Sequence, residues 1–173
     1  MSNTPYALFI TRNDLIKQTP LQGSIDADRL IYFVRTAQEK YILNLLGTVL
    51  YYKLQADILA QTPFTGIYEI LMNDHVKPTL IWATMVEYLP FSGVQFKAEG
   101  AVRHESEQSK AVSKNEIDYL LQKASDNMEY YSTRMQNFLV AYSDQIPQFL
   151  ESVGNQTQIY PDLTNQYFSG INL

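Results

Sequence analysis

The sequence predicts an all-α protein: a small helical bundle with a long C-terminal helix at about 113–143. Apolar residues recur there at alternating spacings of four and three, which is the helical period. Ser113 and Glu116 form a capping-box pair at its start. Nearly every residue from Pro78 to Leu89 is apolar, which predicts a second, buried helix. The stripe of the long helix consists of Ile117, Leu121, Ala124, Met128, Tyr131, Met135, Phe138 and Tyr142.

The N-terminus predicts an extended stretch followed by a short helix. We expect Tyr6 to Ile10 to be extended. Thr11 and Asp14 form another capping pair, which predicts a helix from Arg12 to Gln18. Pro20 then ends this helix, because the residue before a proline disfavours helical backbone angles.

A strong helix is expected from its N-cap Asp26 to Leu46. Gly47 suits a left-handed residue at the helix end. Thr48 is expected to cap the next helix, which runs to Leu59, so the two helices should meet at a tight corner. Thr65 is expected to cap a further short helix, and Pro78 suits the first turn of the buried one. In the helix from Asp26 to Leu46, most of the polar residues are expected to lie off the apolar stripe: Arg29, Arg35, Gln38, Glu39 and Lys40.

A polar arm is predicted at about 93–112. Val94, Phe96 and Ala98 alternate with polar neighbours, which favours an extended or hairpin-like arm from Gly93 to Glu105. Loops of this length are usually functional or disordered. Two interpretations stay open: an arm that orders on a partner, and a mobile solvated loop. The charged residues of the arm are the first interface candidates: Lys97, Glu99, Arg103, His104, Glu105, Glu107 and Lys110.

The C-terminal residues 154–173 hold a single charge, Asp162, and many large apolar side chains. Disordered tails are usually charged and poor in aromatic residues. We therefore predict an extended adhesive tail, docked on its own core or on a neighbour, after a helical domain at 1–153 into which the arm is inserted. The tail supplies the second set of interface candidates: Ile159, Tyr160, Leu163, Tyr167 and Phe168.

Composition narrows the classes of function. The chain has 173 residues, a formal charge of −5 and a pI near 5.0, and it lacks the clustered Lys and Arg on which phosphate binding depends. The absence of cysteine excludes disulfides, thiolate metal sites and a cysteine nucleophile. Because no apolar run is long enough for a membrane span or a signal peptide, we expect a protein kept in a cytosol-like space.

The sequence predicts no catalytic residue, cofactor or metal. His75 and His104 each stand apart from the second histidine that a helical zinc pair needs. No nucleophile elbow, phosphate-binding glycine loop or dinucleotide motif occurs. Asp126 and Glu129 share a helix face, but it is the solvated face of the long helix. An enzyme is therefore not favoured.

Tyrosine is abundant, with thirteen copies. Tyrosine is over-used at protein interfaces, and it also lines the rims of helical cores. Both interpretations stay open for any single tyrosine. Trp82 lies within the apolar stretch and is interpreted as a core residue.

Three stretches carry a family resemblance. They are residues 9–15, with the sequence FITRNDL; the helix from Asp26 that ends in Leu45-Leu46-Gly47; and Leu50-Tyr51 in the next helix. Together with the order of elements over roughly residues 7–145, they resemble the head–tail connector (adaptor) proteins of tailed bacteriophages.

The resemblance implies a structural protein of the virion, located at the head–tail junction and made in the host cytoplasm. Copies would form a ring, commonly twelvefold, beneath the portal protein and would extend the DNA channel. Tail or neck proteins would bind the ring, and packaged DNA would pass through it without specific binding. No membrane or cofactor is implied. The implied partners are therefore further copies of the chain, the portal protein and tail or neck proteins.

Two other classes stay open. One is a small helical ligand-binding or regulatory domain, with a pocket among Trp82, Tyr88 and Tyr131. The other is a helical enzyme with an unfamiliar site. A different neck or tail-completion protein is a near neighbour of the connector hypothesis.

Overall fold

Helices form most of the chain in the computed structural model, which describes residues 6–21, 27–92, 94–97, 100–103, 113–151 and 159–161. The predicted all-α bundle with a long C-terminal helix is confirmed. The helices are α1 Arg12–Gln18, α2 Ala27–Ala37, α3 Leu43–Leu46, α4 Thr48–Leu59, α5 Ile67–Ile70, α6 Lys77–Tyr88, α7 Lys114–Ala141 and α8 Pro147–Leu150.

The two predicted capping boxes are confirmed. The Thr11 side chain accepts from the Asp14 N–H, and the Asp14 carboxylate accepts from the Thr11 N–H at 2.7 Å. Ser113 and Glu116 make the same reciprocal pair at the start of α7. Bonds from Ser113 lower the pKa of the Glu116 carboxyl, because they favour its charged form.

Two π turns join shorter helices into longer rods. Gln38–Ile42 connects α2 to α3, and Leu71–Val76 connects α5 to α6. The buried helix therefore does not begin independently near Pro78. Pro78 does lie in the first turn of α6, as its second residue, just after the π turn at which the hydrogen-bond spacing changes, and the N–H that proline lacks is tolerated there. The candidate cap Asp26 lies outside the described residues.

Two predicted N-caps are wrong for one physical reason. Gly47 and Gly66 take the cap positions of α4 and α5, with φ of 75° and 57°. Positive φ costs glycine little, and it lets the chain turn sharply into the next helix. Thr48 is consequently the first residue of α4, and the Thr65 side chain makes no capping bond there.

The central helix of the bundle is α6, as its apolar sequence predicts. On one side Tyr88 packs edge-on against Phe33 of α2, with ring centroids 5.6 Å apart. On another side Met85 and Leu89 cluster with Ala124 of α7. Helices α2 and α7 thus cover different sides of α6.

The long helix α7 buries only part of its predicted stripe. Ala124, Met135 and Leu139 are buried, whereas Tyr142 is exposed. The N-terminal third of α7, before Ala124, contains no buried residue. This third of the helix projects beyond the core.

The start of the arm is a hairpin, in agreement with the hairpin-like form expected from the sequence. Strands β1 Val94–Lys97 and β2 Gly100–Arg103 pair antiparallel, with Val94 opposite Arg103 and Lys97 opposite Gly100. Residues 104–112 lie outside the described part of the chain.

Candidate interaction surfaces

The N-terminal segment is held by a buried glutamine of the first π turn. Gln38 Oε1 accepts from the Phe9 N–H at 2.8 Å, and Gln38 Nε2 donates to the Ala7 carbonyl at 2.9 Å. Both groups belong to the extended stretch that the sequence predicts. The amide thus pairs with the segment much as a neighbouring strand would. Gln38 itself is fully buried, so the expectation that it lies off the apolar stripe is wrong.

A second glutamine and two tyrosines complete this network. Gln55 Nε2 lies 3.1 Å from Tyr51 Oη and 3.3 Å from the Ala7 carbonyl, and the hydroxyls of Tyr6 and Tyr51 are 2.9 Å apart. Burial, followed by the hydrogen bond to Tyr51, raises the pKa of Tyr6. Burial likewise raises the pKa of Tyr51. Both hydroxyls therefore stay protonated at neutral pH and fasten the segment as neutral hydrogen-bonding groups.

A short C-terminal segment, Ile159–Pro161, docks on the corner between α3 and α4. The Thr48 N–H donates to the Ile159 carbonyl at 2.9 Å, and Thr48 Oγ1 accepts from the Ile159 N–H at 2.7 Å. Pro161 lies over Gly47, where an added Cβ would be only 2.7 Å from Pro161 Cδ. We call Ile159–Pro161 the strap and Gly47–Thr48 the corner.

One exposed aromatic surface lies on α2. Tyr32 is 66% exposed, and its ring packs edge-on against that of Phe33 with centroids 5.2 Å apart. Three residues further along the chain, Arg35 Nε lies 3.1 Å from the Glu39 carboxylate. Ile31 is 46% exposed beside it. We call these four exposed residues the α2 flank: Ile31, Tyr32, Arg35 and Glu39.

A groove of about 460 Å³ adjoins the α2 flank. Arg29 donates to the Phe91 carbonyl and so ties α2 to the turn after α6. The Glu87 carboxylate accepts from Lys40 at 2.8 Å and from Tyr41 at 2.6 Å. Burial opposes ionisation of Glu87, but these two bonds outweigh it and lower its pKa. The groove is lined by Arg29, Tyr32, Phe33, Thr36, Glu87 and Phe91.

A second exposed aromatic surface lies on α7. Tyr119 and Tyr130 are 63% and 62% exposed and stand about three turns apart on the side away from the buried stripe. Lys123 lies over the Tyr119 ring, 5.8 Å from its centroid, and Leu120 is also exposed. We call these four residues the α7 flank: Tyr119, Leu120, Lys123 and Tyr130.

The interface candidates of the sequence fall into three groups. Ile159 and Tyr160 belong to the strap, and both are exposed. Lys97 and Arg103 end the paired segments β1 and β2. The remaining candidates lie outside the described residues: Glu99, His104, Glu105, Glu107, Lys110, Leu163, Tyr167 and Phe168.

His75 is buried in the second π turn. Its ring stacks on Phe138 of α7 with centroids 4.2 Å apart, and Nδ1 has no hydrogen-bond partner among the described residues. Burial, and then the charge of Arg134, lower its pKa. Within the described ranges no three His, Cys, Asp or Glu residues are grouped so as to hold a metal ion. None of the helices that the structure describes is both long and apolar enough to cross a membrane.

Trp82 and Tyr88, which the sequence placed around a possible pocket, lie on different sides of α6. Tyr88 contacts Phe33 of α2, whereas Trp82 packs beside Met85 towards α7. This arrangement does not favour one pocket lined by both rings.

These features define a helical domain that presents docked terminal segments and two exposed aromatic flanks. The chain belongs to DUF6712, a family of unknown function, whose model matches residues 42–159. The match ends at Ile159 and therefore contains both the corner and the first residue of the strap. No curated protein and no solved structure matches the chain.

Proposed function

We propose that the protein is a structural subunit of a tailed-phage virion, a head–tail connector (adaptor) that assembles as a ring beneath the portal protein. The ring extends the DNA channel towards the tail and binds tail or neck proteins. The resemblance of residues 7–145 to connector proteins supports this proposal. The observation that carries it physically is the pair of aromatic flanks on different helices.

A closed ring needs two unlike adhesive surfaces on each copy, because one face of a subunit meets a different face of the next. The α2 and α7 flanks meet this requirement, since α6 lies between the helices that carry them. The α2 flank has one tyrosine more than 60% exposed, Tyr32, with Arg35 three residues further along the chain, and the α7 flank has two such tyrosines, with Lys123 over the Tyr119 ring. Tyrosine and arginine are enriched where proteins bind each other. We assign ring contacts to the α2 flank of one copy and the α7 flank of the next.

The remaining features fit the same role. The hairpin of β1 and β2 supplies an arm that engages the portal protein or an adjacent copy. The net charge of −5 suits a channel wall that DNA must pass without being gripped. A virion location at the head–tail junction follows from this role.

Native mass spectrometry of the full chain, alone and with a portal protein, tests the proposal. A connector gives large closed rings of one stoichiometry. A helical ligand-binding or regulatory domain, which is the alternative, stays monomeric or dimeric under both conditions. Persistent monomers in the presence of several portal proteins from related phages would contradict the connector role.

Single substitutions test the flanks. Tyr32→Asp and Tyr130→Asp each place a charge at the centre of one flank and should abolish rings without unfolding the protein, because both side chains are exposed. Tyr52→Asp is the matched control, since Tyr52 is 56% exposed on α4 and belongs to neither flank. Rings that survive both flank variants, or that are lost equally in the control, would refute the assignment. Circular dichroism checks that all three variants keep their helical content.

A further inference from the structure

The strap is recognised almost entirely through its backbone. Both hydrogen bonds between Ile159 and Thr48 involve main-chain groups of the strap. The Pro161 ring lies over Gly47, where the missing Cβ leaves room for it. The corner therefore accepts an extended segment with a proline two residues after the hydrogen-bonded one.

The two larger side chains of the strap are partly exposed to solvent. Ile159 is 40% exposed and Tyr160 is 58% exposed, although both lie in a segment docked on the protein. Two fifths of Ile159 and more than half of Tyr160 are therefore available for contact with another surface. Among the residues that the structure describes, the strap follows the last helix, α8, so no described element has to be unthreaded for it to leave the corner.

We propose that in the assembled ring the strap of one copy docks on the corner of the neighbouring copy. This exchange rests on the proposed function, because ring assembly is what brings a neighbour's corner within reach. A corner accepts the same three residues from any copy, so exchange needs no new surface. Seven residues, 152–158, separate Glu151 from the strap and span at most about 25 Å. Exchange would also bring the exposed Ile159 and Tyr160 side chains to the boundary between copies.

Neighbouring copies in a ring favour this arrangement. Once the flanks hold two copies together, the corner of the neighbour is present at a high effective concentration. Each exchanged strap then adds its two backbone hydrogen bonds and its proline contact to the interface between copies. The partner of the corner is thus a second copy of this chain.

The lack of native cysteine permits a direct test by disulfide formation. Thr48→Cys and Ile159→Cys are made in separate full-length chains, which are mixed under assembly conditions and oxidised. Exchange predicts a covalent dimer in the mixture and in neither variant alone, seen by non-reducing electrophoresis. The double variant, assembled and oxidised, should form covalent multimers at the expense of the monomer band.

One control variant and the double variant separate the possible outcomes. Pro161→Asp in the Ile159→Cys chain removes the contact with Gly47 and should reduce the covalent dimer strongly. If rings form but the double variant closes only within single chains, the exchange is overturned while the proposed function stands. If the double variant closes within single chains and no rings form, both proposals fail. Equal dimer yields with and without Pro161→Asp would show collision rather than docking and would overturn the exchange.

Discussion

Replacing Gln38 with leucine tests how the N-terminal segment is held. The substitution keeps the approximate size of a fully buried side chain and removes both of its polar atoms. The Phe9 N–H, which donates to Gln38 Oε1 at 2.8 Å, then loses that bond in a residue that is 3% exposed. The Ala7 carbonyl keeps Gln55 as a donor at 3.3 Å.

The expected cost follows from counting the groups that lose their partners. One buried donor left without an acceptor costs about 1–3 kcal/mol. The two acceptors that Gln38 Nε2 contacts, the Ala7 carbonyl and Tyr51 Oη, keep Gln55 Nε2 as a neighbouring donor. The loss of Gln38 as their donor therefore adds little to the cost. We expect Gln38→Leu to lower the free energy of unfolding by about 1–3 kcal/mol, and by more than the control variant described next.

Gln55→Leu is the matched control for this experiment. Gln55 is also buried and shares two acceptors with Gln38, the Ala7 carbonyl and Tyr51 Oη. Because Gln38 still donates to both acceptors, Gln55→Leu should cost only about 0.5–1.5 kcal/mol. Urea unfolding followed by circular dichroism measures both values. Equal losses in the two variants would refute the argument that the Phe9 N–H decides the difference.

Two further predictions concern titratable groups. Burial lowers the pKa of His75 in the folded protein, whereas in the unfolded chain the imidazole binds a proton below about pH 6.5. Its contribution to stability is therefore complete above that pH and is lost as the pH falls towards the lowered folded pKa. His75→Phe preserves a ring against Phe138 and removes the titrating group. The fall in the free energy of unfolding between pH 7 and 5, measured by urea titration, should therefore become smaller. The same fall in the variant as in the unmodified protein would count against the titration of His75 as its cause. Glu87→Gln removes the charge that Lys40 and Tyr41 contact, and it should lower the free energy of unfolding by about 1 kcal/mol in the same urea titration. An unchanged free energy of unfolding at pH 7 would show that this partly exposed cluster contributes nothing to stability.

The sequence correctly predicted where a helix begins when all residues of the capping pattern lie within four positions of each other. The pairs Thr11–Asp14 and Ser113–Glu116 each satisfy two backbone N–H groups by themselves, so distant residues do not decide the outcome. Thr48 resembles a cap equally well in sequence, but the preceding Gly47 takes the cap position and the Thr48 hydroxyl binds Ile159. That partner is 111 residues away, beyond the reach of any local pattern.

Residue type alone does not place Gln38, because glutamine is more often solvated than buried. Nothing in the composition of residues 38–42 marks the π turn that begins at Gln38 either. A signal was nevertheless present, since the helical period places Gln38 beside Val34 and Leu45 on the edge of the apolar stripe. A polar residue at such a position is a candidate for a buried hydrogen-bonding role.

The exposed surfaces of the protein were partly predictable from the helical period of the sequence. Tyr119 and Tyr130 fall outside the apolar stripe of α7, and the structure exposes both. The contact of the strap with the corner was not predictable, because it depends on the positive φ of Gly47 and on the approach of Pro161. Sequence periodicity locates faces of helices, whereas docking between distant segments depends on the assembled geometry.

Mixing the two flank variants tests the central claim most directly. Tyr32→Asp damages the α2 flank and keeps the α7 flank, and Tyr130→Asp does the reverse. If rings form through unlike flanks, an equimolar mixture should give a one-to-one heterodimer with a single intact interface, detected by native mass spectrometry, while each variant alone stays monomeric. Homodimers of either variant alone, or a mixture that contains only monomers under conditions in which the unmodified chain forms rings, would contradict the account.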